Sequence, residues 1–209
     1  MKLYYAPSTA AMIPHWVLLE MGLSEVEMVK LDLASREHKH PEYLALNPAG
    51  TVPTLVVGDQ VMTESAAILL WLVEQESGKG LAPAAGSPQR AEFLQHVVHL
   101  ANTLQPAFRR WFYPAELAGE AAAADNKQNA EQIVAQEWER WNAHLAERDY
   151  LLGAEISAVD FYLCVLMRWS RNMTRPATEW PHLARFVARM KQRPSFKLLY
   201  QREGLTEWA

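Results

Sequence analysis

The first part of the chain alternates between short apolar runs and helix-like apolar spacing. The runs at Lys2–Ala6 and Val26–Leu33 are typical of short strands, and Ile13–Met21 between them repeats apolar residues three and four positions apart, as a helix does. Gly22 follows at once, where helices commonly end. This pattern predicts a β-α-β opening.

A corner marked by proline comes next, after a helical turn predicted at Pro41–Leu46. Pro53 stands just before an apolar run, and because it has no N–H to donate to a sheet it belongs at the entrance of a strand. Its peptide bond with Val52 is a candidate for the cis form, and Val52 is left free to pair outward. The segment Asn47–Leu55 is therefore interpreted as a ligand-holding corner.

A hairpin and a helix complete this first part of the chain. Thr54–Val57 and Gln60–Met62 are predicted to pair across residues 58–59, whose Gly-Asp sequence is typical of a hairpin turn. The apolar run that follows predicts a helix from Glu64 to about Glu76. The first N–H groups of a helix have no partner within it and favour an anion.

The character of the sequence changes across residues 78–87, which are rich in Gly, Pro, Ala and Ser. We predict an α/β domain at residues 1–77, a linker at 78–87 and a second domain at 88–209. No strand is predicted in the second domain, and its amphipathic segments indicate an all-α fold. The predicted helices are Gln89–Tyr113, Asn126–Glu147, Ala158–Arg171, His182–Lys191 and Phe196–Arg202.

A capping box is predicted at the start of the helix that begins at Ala158. Ser157 and Asp160 have the required spacing, with the serine hydroxyl accepting from the Asp160 N–H and the carboxylate reaching back to the Ser157 N–H. Both side chains therefore have backbone partners, and a structural role is favoured over a catalytic one.

Composition narrows the classes of function. The chain has 209 residues, of which 50% are apolar, and a net charge of -4, so it has no general attraction for nucleic acid or an anionic membrane. We expect no nucleic-acid or membrane partner and a cytoplasmic location, because no apolar run approaches the length of a signal or a membrane span. Cys164 is the only cysteine, which excludes an internal disulfide and a cysteine-based metal cluster.

The order of these elements and motifs resembles the soluble glutathione transferases over essentially the whole chain. The N-terminal resemblance lies in Asn47–Leu55 and Thr63–Ile68, and the C-terminal one in Gly153–Asp160 and Trp180–Pro194. Similarity to bacterial beta-like members lies in Tyr4–Pro7, Pro14-His15, Arg168-Trp169 and Arg202–Leu205. The resemblance implies a thioredoxin-like domain (βαβαββα), an all-helical second domain and a homodimer.

The resemblance also implies a site for glutathione, used as a co-substrate. The backbone of Val52 would pair with the cysteinyl unit, Ser65 and its helix N–H would hold the γ-glutamyl carboxylate, and Glu64 would hold the ammonium group. The alternative is that Glu64 and Ser65 are only first-turn helix residues. The expected glutathione-binding residues are His38, Thr51, Val52, Pro53, Glu64, Ser65 and Asn102.

His38 is the residue that best matches the family's basic contact with the glycyl carboxylate, and Lys39 and His40 are competitors. A solvated loop is the alternative, because exposed histidines near their usual pKa are common. A His-x-His metal site is disfavoured, since this loop supplies no clear third ligand, and we expect no metal. Asn102 shares a predicted helix face with Gln95, and the family often has a titratable histidine where Asn102 stands.

Catalysis in this family depends on a hydroxyl or thiol near the end of the first strand. That group donates to the glutathione thiolate and lowers the pKa of the thiol. The cysteine of the beta pattern is replaced by Ala10, and the serine that usually follows it by Ala11. The candidates are Thr9 first, then Ser8, then Tyr5. The alternative is that Ser8 or Thr9 merely caps the first helix.

A hydrophobic co-substrate needs an apolar wall, for which the second domain offers aromatic residues. The candidates are Phe108, Trp111, Tyr113 and Trp169. For most of them a position in the core is the alternative, whereas Pro114 ends the predicted helix just after Trp111 and Tyr113 and leaves its last turn near an opening.

The expected function is conjugation of glutathione to small hydrophobic electrophiles, a detoxification reaction, together with a glutathione-dependent peroxidase activity as a second reaction. One alternative is a glutathione- or ligand-binding protein with little turnover, which the alanines at positions 10 and 11 favour. Another is a transferase-like regulatory scaffold without glutathione, against which the Val52-Pro53 and Glu64-Ser65 pairs argue. The electrophile is left open by the sequence.

Overall fold

The chain divides into two units in the computed structural model, which describes residues 1–23, 25–75, 78 and 80–208. The first unit is Met1–Ala82 together with Lys191–Glu207, and the second is Pro83–Met190. The first unit thus ends within the predicted linker, and it also takes in the last helix of the chain, which the sequence assigned to the second domain. As predicted, the first unit is α/β and the second is helical.

The first unit is built on a four-stranded mixed sheet. Its strands are β1 (Lys2–Tyr5), β2 (Glu27–Lys30), β3 (Thr54–Val57) and β4 (Gln60–Thr63). They lie in the order β2-β1-β3-β4, with β1 parallel to β2 and antiparallel to β3, and with β3 and β4 forming the predicted hairpin. Leu3 lies opposite Leu55 and both are fully buried, which sets one face of the sheet against the core.

The α-helices among the described residues of this unit are α1 (Met12–Glu20), α2 (Pro41–Leu44), α3 (Ser65–Val73) and α10 (Pro194–Glu203). Eight of the nine residues of α1 are buried, and Gly22 follows the helix with a φ of 74°, a conformation that glycine adopts at low cost. The helix predicted to begin at Glu64 begins at Ser65, and its predicted end near Glu76 lies outside the described residues.

The last helix joins the first unit because its side chains complete the packing of α1. The indole N–H of Trp16 donates to the Ser195 hydroxyl at 2.9 Å. The ring of Trp16 lies 5.3 Å from that of Phe196. Burial of two large aromatic side chains in one contact stabilises the pair well beyond a single hydrogen bond. The chain thus comes back to the first unit at its last helix, which the order of elements along the sequence could not show.

The second unit contains α4 (Pro88–His99), a π-helical turn (Leu100–Leu104), α5 (Gln105–Phe112), α6 (Ala115–Ala118), α7 (Ala123–His144), α8 (Ala158–Trp169) and α9 (Pro181–Lys191). The sequence predicts one helix over Gln89–Tyr113, and the structure interrupts it with the π turn. Pro106 has no N–H to donate four residues back, so the normal ladder fails at this point. No helix in the described ranges is long and apolar enough to cross a membrane.

Helix α8 begins with the capping box. The Ser157 N–H donates to the Asp160 carboxylate at 2.8 Å, and the Leu151 N–H donates to the other carboxylate oxygen at 2.8 Å. Burial raises the pKa of the Asp160 carboxyl to about 6, against the opposing effect of these hydrogen bonds. One carboxylate therefore joins the helix start to the loop before it.

Candidate active site

The proline corner is held by side chains of α2 and of the turn after it. The Val52–Pro53 peptide bond is cis, as the sequence suggests. The Asn47 side-chain amide donates to the Thr51 carbonyl at 2.8 Å, and the Tyr43 hydroxyl donates to the same oxygen at 2.5 Å. The Thr51 carbonyl oxygen thus accepts two hydrogen bonds from protein side chains, which hold the corner in place where it enters β3.

Lys39 fixes the other end of the corner. Its ammonium group donates to the carbonyls of Ala49 and Gly50, at 3.1 and 2.8 Å. Gly50 has a φ of 57°, and a Cβ at this position would lie 2.7 Å from the His38 carbonyl oxygen. Only glycine fits this approach. Lys39 was considered beside His38 as the contact for the glycyl carboxylate. Its ammonium group is instead engaged in hydrogen bonds within the corner.

The backbone of Val52 is open for pairing. Val52 is half-buried, and across the described ranges no group hydrogen-bonds to its N–H or its C=O. A backbone amide with both groups unused accepts an extended peptide in the manner of an added strand. The structure thus leaves an edge for a peptide at the position that the sequence singles out.

The start of α3 lies against the loop that follows β1. The Ser65 hydroxyl, which is nearly buried, donates to the Ala10 carbonyl at 3.3 Å. Glu64 is exposed and has a φ of 70°, and no side chain caps the helix. A non-glycine residue in this backbone region is strained, and such strain is concentrated at functional sites. The first N–H groups of α3 therefore have no side-chain cap, and the helix starts beside the loop that contains Ala10.

Thr9, the first catalytic candidate, uses its hydroxyl within its own loop. The hydroxyl donates to the Ala6 carbonyl at 2.7 Å and accepts from the Ala11 N–H at 3.3 Å. This is the structural role that the sequence analysis set against catalysis. Donation to a sulfur atom requires the hydroxyl to leave the Ala6 carbonyl, so the catalytic role of Thr9 stays a prediction.

Ser8 is held in an unusual conformation by the last helix. It has a φ of 65°, and its N–H donates to the Glu203 carboxylate at 2.9 Å. The other carboxylate oxygen of Glu203 lies 2.9 Å from His15 Nδ1, and both side chains are buried. The sequence analysis used His15 and Glu203 only as marks of resemblance, and it missed their part in shaping the loop.

Tyr5, the third candidate, is buried at the end of β1. Its ring packs edge-on to that of His15, with 5.6 Å between the ring centres. Burial raises the pKa of the Tyr5 phenol, and the charge of Glu203 raises it further. The phenol is therefore a neutral hydrogen-bond donor at physiological pH.

His38 lies in a short 3₁₀ turn (Glu37–Lys39) beside the corner. Its Nδ1 is buried and has no hydrogen-bond partner in the part of the chain that the structure describes. Burial lowers the pKa of the His38 ring, and the positive charges of Lys39, Arg36 and His40 lower it further. At neutral pH the ring is uncharged and offers a hydrogen bond rather than a positive charge.

Known proteins of one family match this arrangement. The N-terminal domain of glutathione S-transferase matches residues 1–74, and the C-terminal domain matches residues 100–194. Glutathione S-transferase GST-4.5 of Xanthomonas campestris is 31% identical over 206 residues, which are 98% of this chain and 100% of the relative. The chain belongs to the glutathione S-transferase family. Its resemblance to that family is thereby confirmed.

Solved structures of bacterial family members agree with the fold. A sphingomonad glutathione S-transferase complexed with glutathione is 32% identical, with a TM-score of 0.86 over 99% of this chain and 100% of the other. A beta class glutathione S-transferase of Sphingomonas chungbukensis is 30% identical, with a TM-score of 0.85 and the same coverage. This family member therefore has a thioredoxin-like first domain followed by a helical domain.

This member of the family lacks the cysteine of the beta pattern. Ala10 stands at that position, in the loop between β1 and α1. Cys164, the one cysteine of the sequence, is fully buried within α8 in the second unit and forms no disulfide. A mixed disulfide between glutathione and a cysteine at position 10 is excluded.

The aromatic candidates of the second unit fall into two groups. Phe108 and Trp169 are buried, and their rings meet edge-on with 5.7 Å between centres, as expected of core residues. Tyr113 follows α5 with 58% of its surface exposed, and the Lys127 ammonium lies 4.7 Å from the ring centre of Trp111. The pair at the end of α5, Trp111 and Tyr113, is therefore more open to solvent than the pair of Phe108 and Trp169.

Asn102, expected among the glutathione contacts, lies in the π turn and is exposed. The π turn adds a residue to the helical repeat, so the regular spacing that placed Asn102 on one face with Gln95 does not hold across it. The binding role of Asn102 stays a prediction.

Proposed function

We propose that the protein is a glutathione transferase that joins the sulfur of glutathione to small hydrophobic electrophiles. The observation that carries this proposal is the unused backbone edge of Val52 in the same unit as the uncapped start of α3. Glutathione needs both, because it is an extended peptide with a carboxylate at its γ-glutamyl end.

Each part of glutathione has a partner in this proposal. Val52, between Thr51 and cis-Pro53, pairs with the cysteinyl amide. Ser65 and the first N–H groups of α3 hold the γ-glutamyl carboxylate, and the exposed Glu64 holds the ammonium group. His38 donates to the glycyl carboxylate, and Asn102 is a further polar contact.

The reaction begins with the thiolate of bound glutathione. A hydrogen bond from Thr9, or else from Ser8 or Tyr5, stabilises the thiolate and lowers the pKa of the thiol. The sulfur then attacks the electrophilic carbon, and the leaving group departs with the bonding electron pair or the adduct takes up a proton. Trp111 and Tyr113, with Phe108 and Trp169 behind them, form the apolar wall for the electrophile. The same thiolate reduces a peroxide when the sulfur attacks one peroxide oxygen and the O–O bond breaks, which releases an alcohol after protonation and leaves glutathione sulfenic acid. A second glutathione thiol then attacks the sulfenic sulfur, and oxidised glutathione and water are formed.

A second candidate is a glutathione-binding protein with little turnover. Ala10 at the cysteine position and the engagement of the Thr9 hydroxyl with the Ala6 carbonyl favour it. Both candidates share the binding site, so they differ only in whether the bound thiol is activated.

Two measurements on one sample separate these candidates. Calorimetric titration with glutathione tests binding, and the rate of conjugation of an aryl halide, measured against the uncatalysed rate, tests turnover. Saturable heat together with enzymatic conjugation supports the transferase. Heat without conjugation selects the binding protein, and absence of heat at millimolar glutathione rejects both.

The family resemblance also supports a cytoplasmic homodimer. Light scattering on the purified protein measures its mass, for which the chain alone accounts for 23.8 kDa. A mass of one chain at micromolar concentration rejects the dimer.

A further inference from the structure

Three potential metal ligands meet in the second unit, apart from the corner and the catalytic loop. Glu92 and His96 are four residues apart on α4 and therefore share one face of that helix. His144 is the last residue of α7. One ligand atom from each of the three side chains lies within 4.8 Å of the others.

His96 is buried without the hydrogen bonds that a buried imidazole requires. Only 5% of the residue is exposed, and neither ring nitrogen has a hydrogen-bond partner among the residues described. Its Nε2 lies 3.5 Å from a carboxylate oxygen of Glu92. Buried polar atoms almost always have a partner, so two unpartnered nitrogens on one ring indicate a ligand that satisfies at least one of them.

The ring of Trp141 holds the two histidines in place. It lies 5.1 Å from the His96 ring and 5.7 Å from the His144 ring, and the histidine rings are 5.0 Å apart, all edge-on. The two imidazole rings are therefore packed side by side within one aromatic cluster.

The cluster already holds one cationic group. Nη1 of Arg148 donates to the Glu92 carboxylate at 2.7 Å and to the Leu151 carbonyl at 3.1 Å. His144 Nε2 lies 2.8 Å from the same carbonyl and 3.2 Å from Nη1 of Arg148. A metal ion that takes Glu92 and His144 must displace this guanidinium, and a His144 ring that binds the metal through Nε2 must also give up the Leu151 carbonyl.

We propose that Glu92, His96 and His144 bind a zinc ion, in competition with the guanidinium group of Arg148. Two imidazoles and one carboxylate form a common ligand set for zinc, which leaves a fourth position to water. Zinc–ligand distances of about 2.0–2.2 Å place tetrahedral ligand atoms about 3.5 Å apart. His96 and Glu92 already have this separation. His144 lies within 4.8 Å of both, so it has to approach them by no more than about 1.3 Å.

No metal was expected from the sequence. The single cysteine excludes a cysteine cluster, and the His-x-His spacing at residues 38–40 has no clear third ligand. The proposed ligands come from helices far apart in the sequence. Only the i, i+4 pair of Glu92 and His96 is a local signal, and such a pair is common on helices that bind no metal. The packing of α7 against α4 supplies the third ligand.

The test uses untagged, metal-free protein without glutathione, since the glutathione thiol itself binds zinc. Zinc chloride is titrated in a calorimeter, and cobalt chloride is titrated in a spectrophotometer as a coloured substitute. We expect one equivalent of zinc to bind and cobalt to give the intense visible bands of a four- or five-coordinate site.

Variants assign the binding to these residues. Glu92→Gln and His96→Gln should weaken zinc binding by at least about 10-fold to 100-fold, the range known for loss of an outer-shell partner of a metal site. His99→Gln is the matched control, because His99 lies on the same helix and pairs with Glu137 at 2.6 Å. It should leave the zinc affinity unchanged.

Arg148→Met gives the decisive result, because it removes the competing cation and keeps all three ligands. The proposal requires tighter zinc binding in this variant, and an unchanged or weaker affinity overturns it even if His96→Gln fails to fold. Absence of saturable binding in the wild type, or loss of binding in His99→Gln alone, also overturns it. None of these residues belongs to the proposed glutathione site, so glutathione affinity and conjugation are unaffected by either outcome.

Discussion

The Glu203 carboxylate accepts a hydrogen bond from the Ser8 N–H at 2.9 Å, although the two residues are 195 positions apart. The same carboxylate lies 2.9 Å from His15 Nδ1 in the buried interior of the first unit. Because Ser8 has a φ of 65° and precedes Thr9, this contact sets the path of the loop that carries the candidate hydroxyls. The last helix therefore positions the loop of the catalytic candidates.

Replacement of Glu203 should damage stability and activity together. Glu203→Ala leaves the Ser8 N–H and the His15 ring without their buried acceptor, at a cost of about 1–3 kcal/mol in the free energy of unfolding. Urea unfolding measures the first effect and conjugation rate the second. Gln201→Ala, an exposed change on the same helix, is the control. A Glu203→Ala variant as active as that control would show that the loop keeps its path unaided.

Substitution of Thr9 distinguishes a catalytic role of its hydroxyl from a structural one. If Thr9 stabilises the thiolate, Thr9→Ala should raise the pKa of the bound glutathione thiol, and Thr9→Ser should restore it. The thiolate absorbance of bound glutathione, followed across pH, measures this pKa. An unchanged titration together with a loss of about 1 kcal/mol in stability assigns the hydroxyl to its hydrogen bond with the Ala6 carbonyl.

Local patterns predicted the elements that depend on neighbouring residues. The hairpin of Thr54–Val57 with its partner strand follows from a two-residue turn and alternating side chains, and the capping box of Ser157 follows from a spacing of three. The contact between Ser8 and Glu203 depends on a return of the chain after the whole helical unit. No periodic pattern carries that information, so the sequence could identify the corner but not what holds the catalytic loop.

The π turn was missed for a different reason. Apolar spacing over Gln89–Tyr113 is compatible with one helix, and a single added residue hardly disturbs it. Pro106 is the only local signal, and prolines occur near helix starts without a π turn. Side-chain burial likewise depends on tertiary packing. Pro114 was a local signal that favoured Trp111 and Tyr113 as the more open residues, whereas no local signal showed that Phe108 and Trp169 are buried.

Glu64 tests the glutamyl end of the site. Glu64→Gln keeps the size of the side chain and removes its charge, so it should weaken glutathione binding by about 1–3 kcal/mol, the range for a charge-assisted hydrogen bond. Calorimetry measures the change. Glu74→Gln, just after the opposite end of α3, is the matched control. Equal affinity for glutathione in both variants would show that Glu64 does not bind the ammonium group.

Asp160 should contribute more to stability than its capping partner does. Asp160→Ala removes the acceptor of the buried Ser157 and Leu151 N–H groups, and we expect a loss of about 3 kcal/mol. Ser157→Ala should cost about 1 kcal/mol. Urea unfolding measures both, with the exposed Glu155→Ala as control. Similar losses for Asp160→Ala and Ser157→Ala would contradict the role of Asp160 in joining the loop to α8.

His38 gives glutathione binding a specific dependence on pH. Its pKa is lowered from 6.5 by burial and by neighbouring positive charges, so the ring is neutral at pH 7 and takes up its proton only in more acidic solution. A protonated ring attracts the glycyl carboxylate more strongly than a neutral one. The affinity for glutathione should therefore rise as the pH falls below 6.5, and at pH 7 His38→Gln should cost only about 1 kcal/mol.

The pH profile distinguishes His38 from the other basic residues of the loop. Calorimetry at a series of pH values should show the acidic rise in the wild type and in His40→Gln, and its absence in His38→Gln. If His40→Gln flattens the profile and His38→Gln does not, the glycyl carboxylate lies at His40, because only the residue that gains a proton next to the ligand links binding to pH.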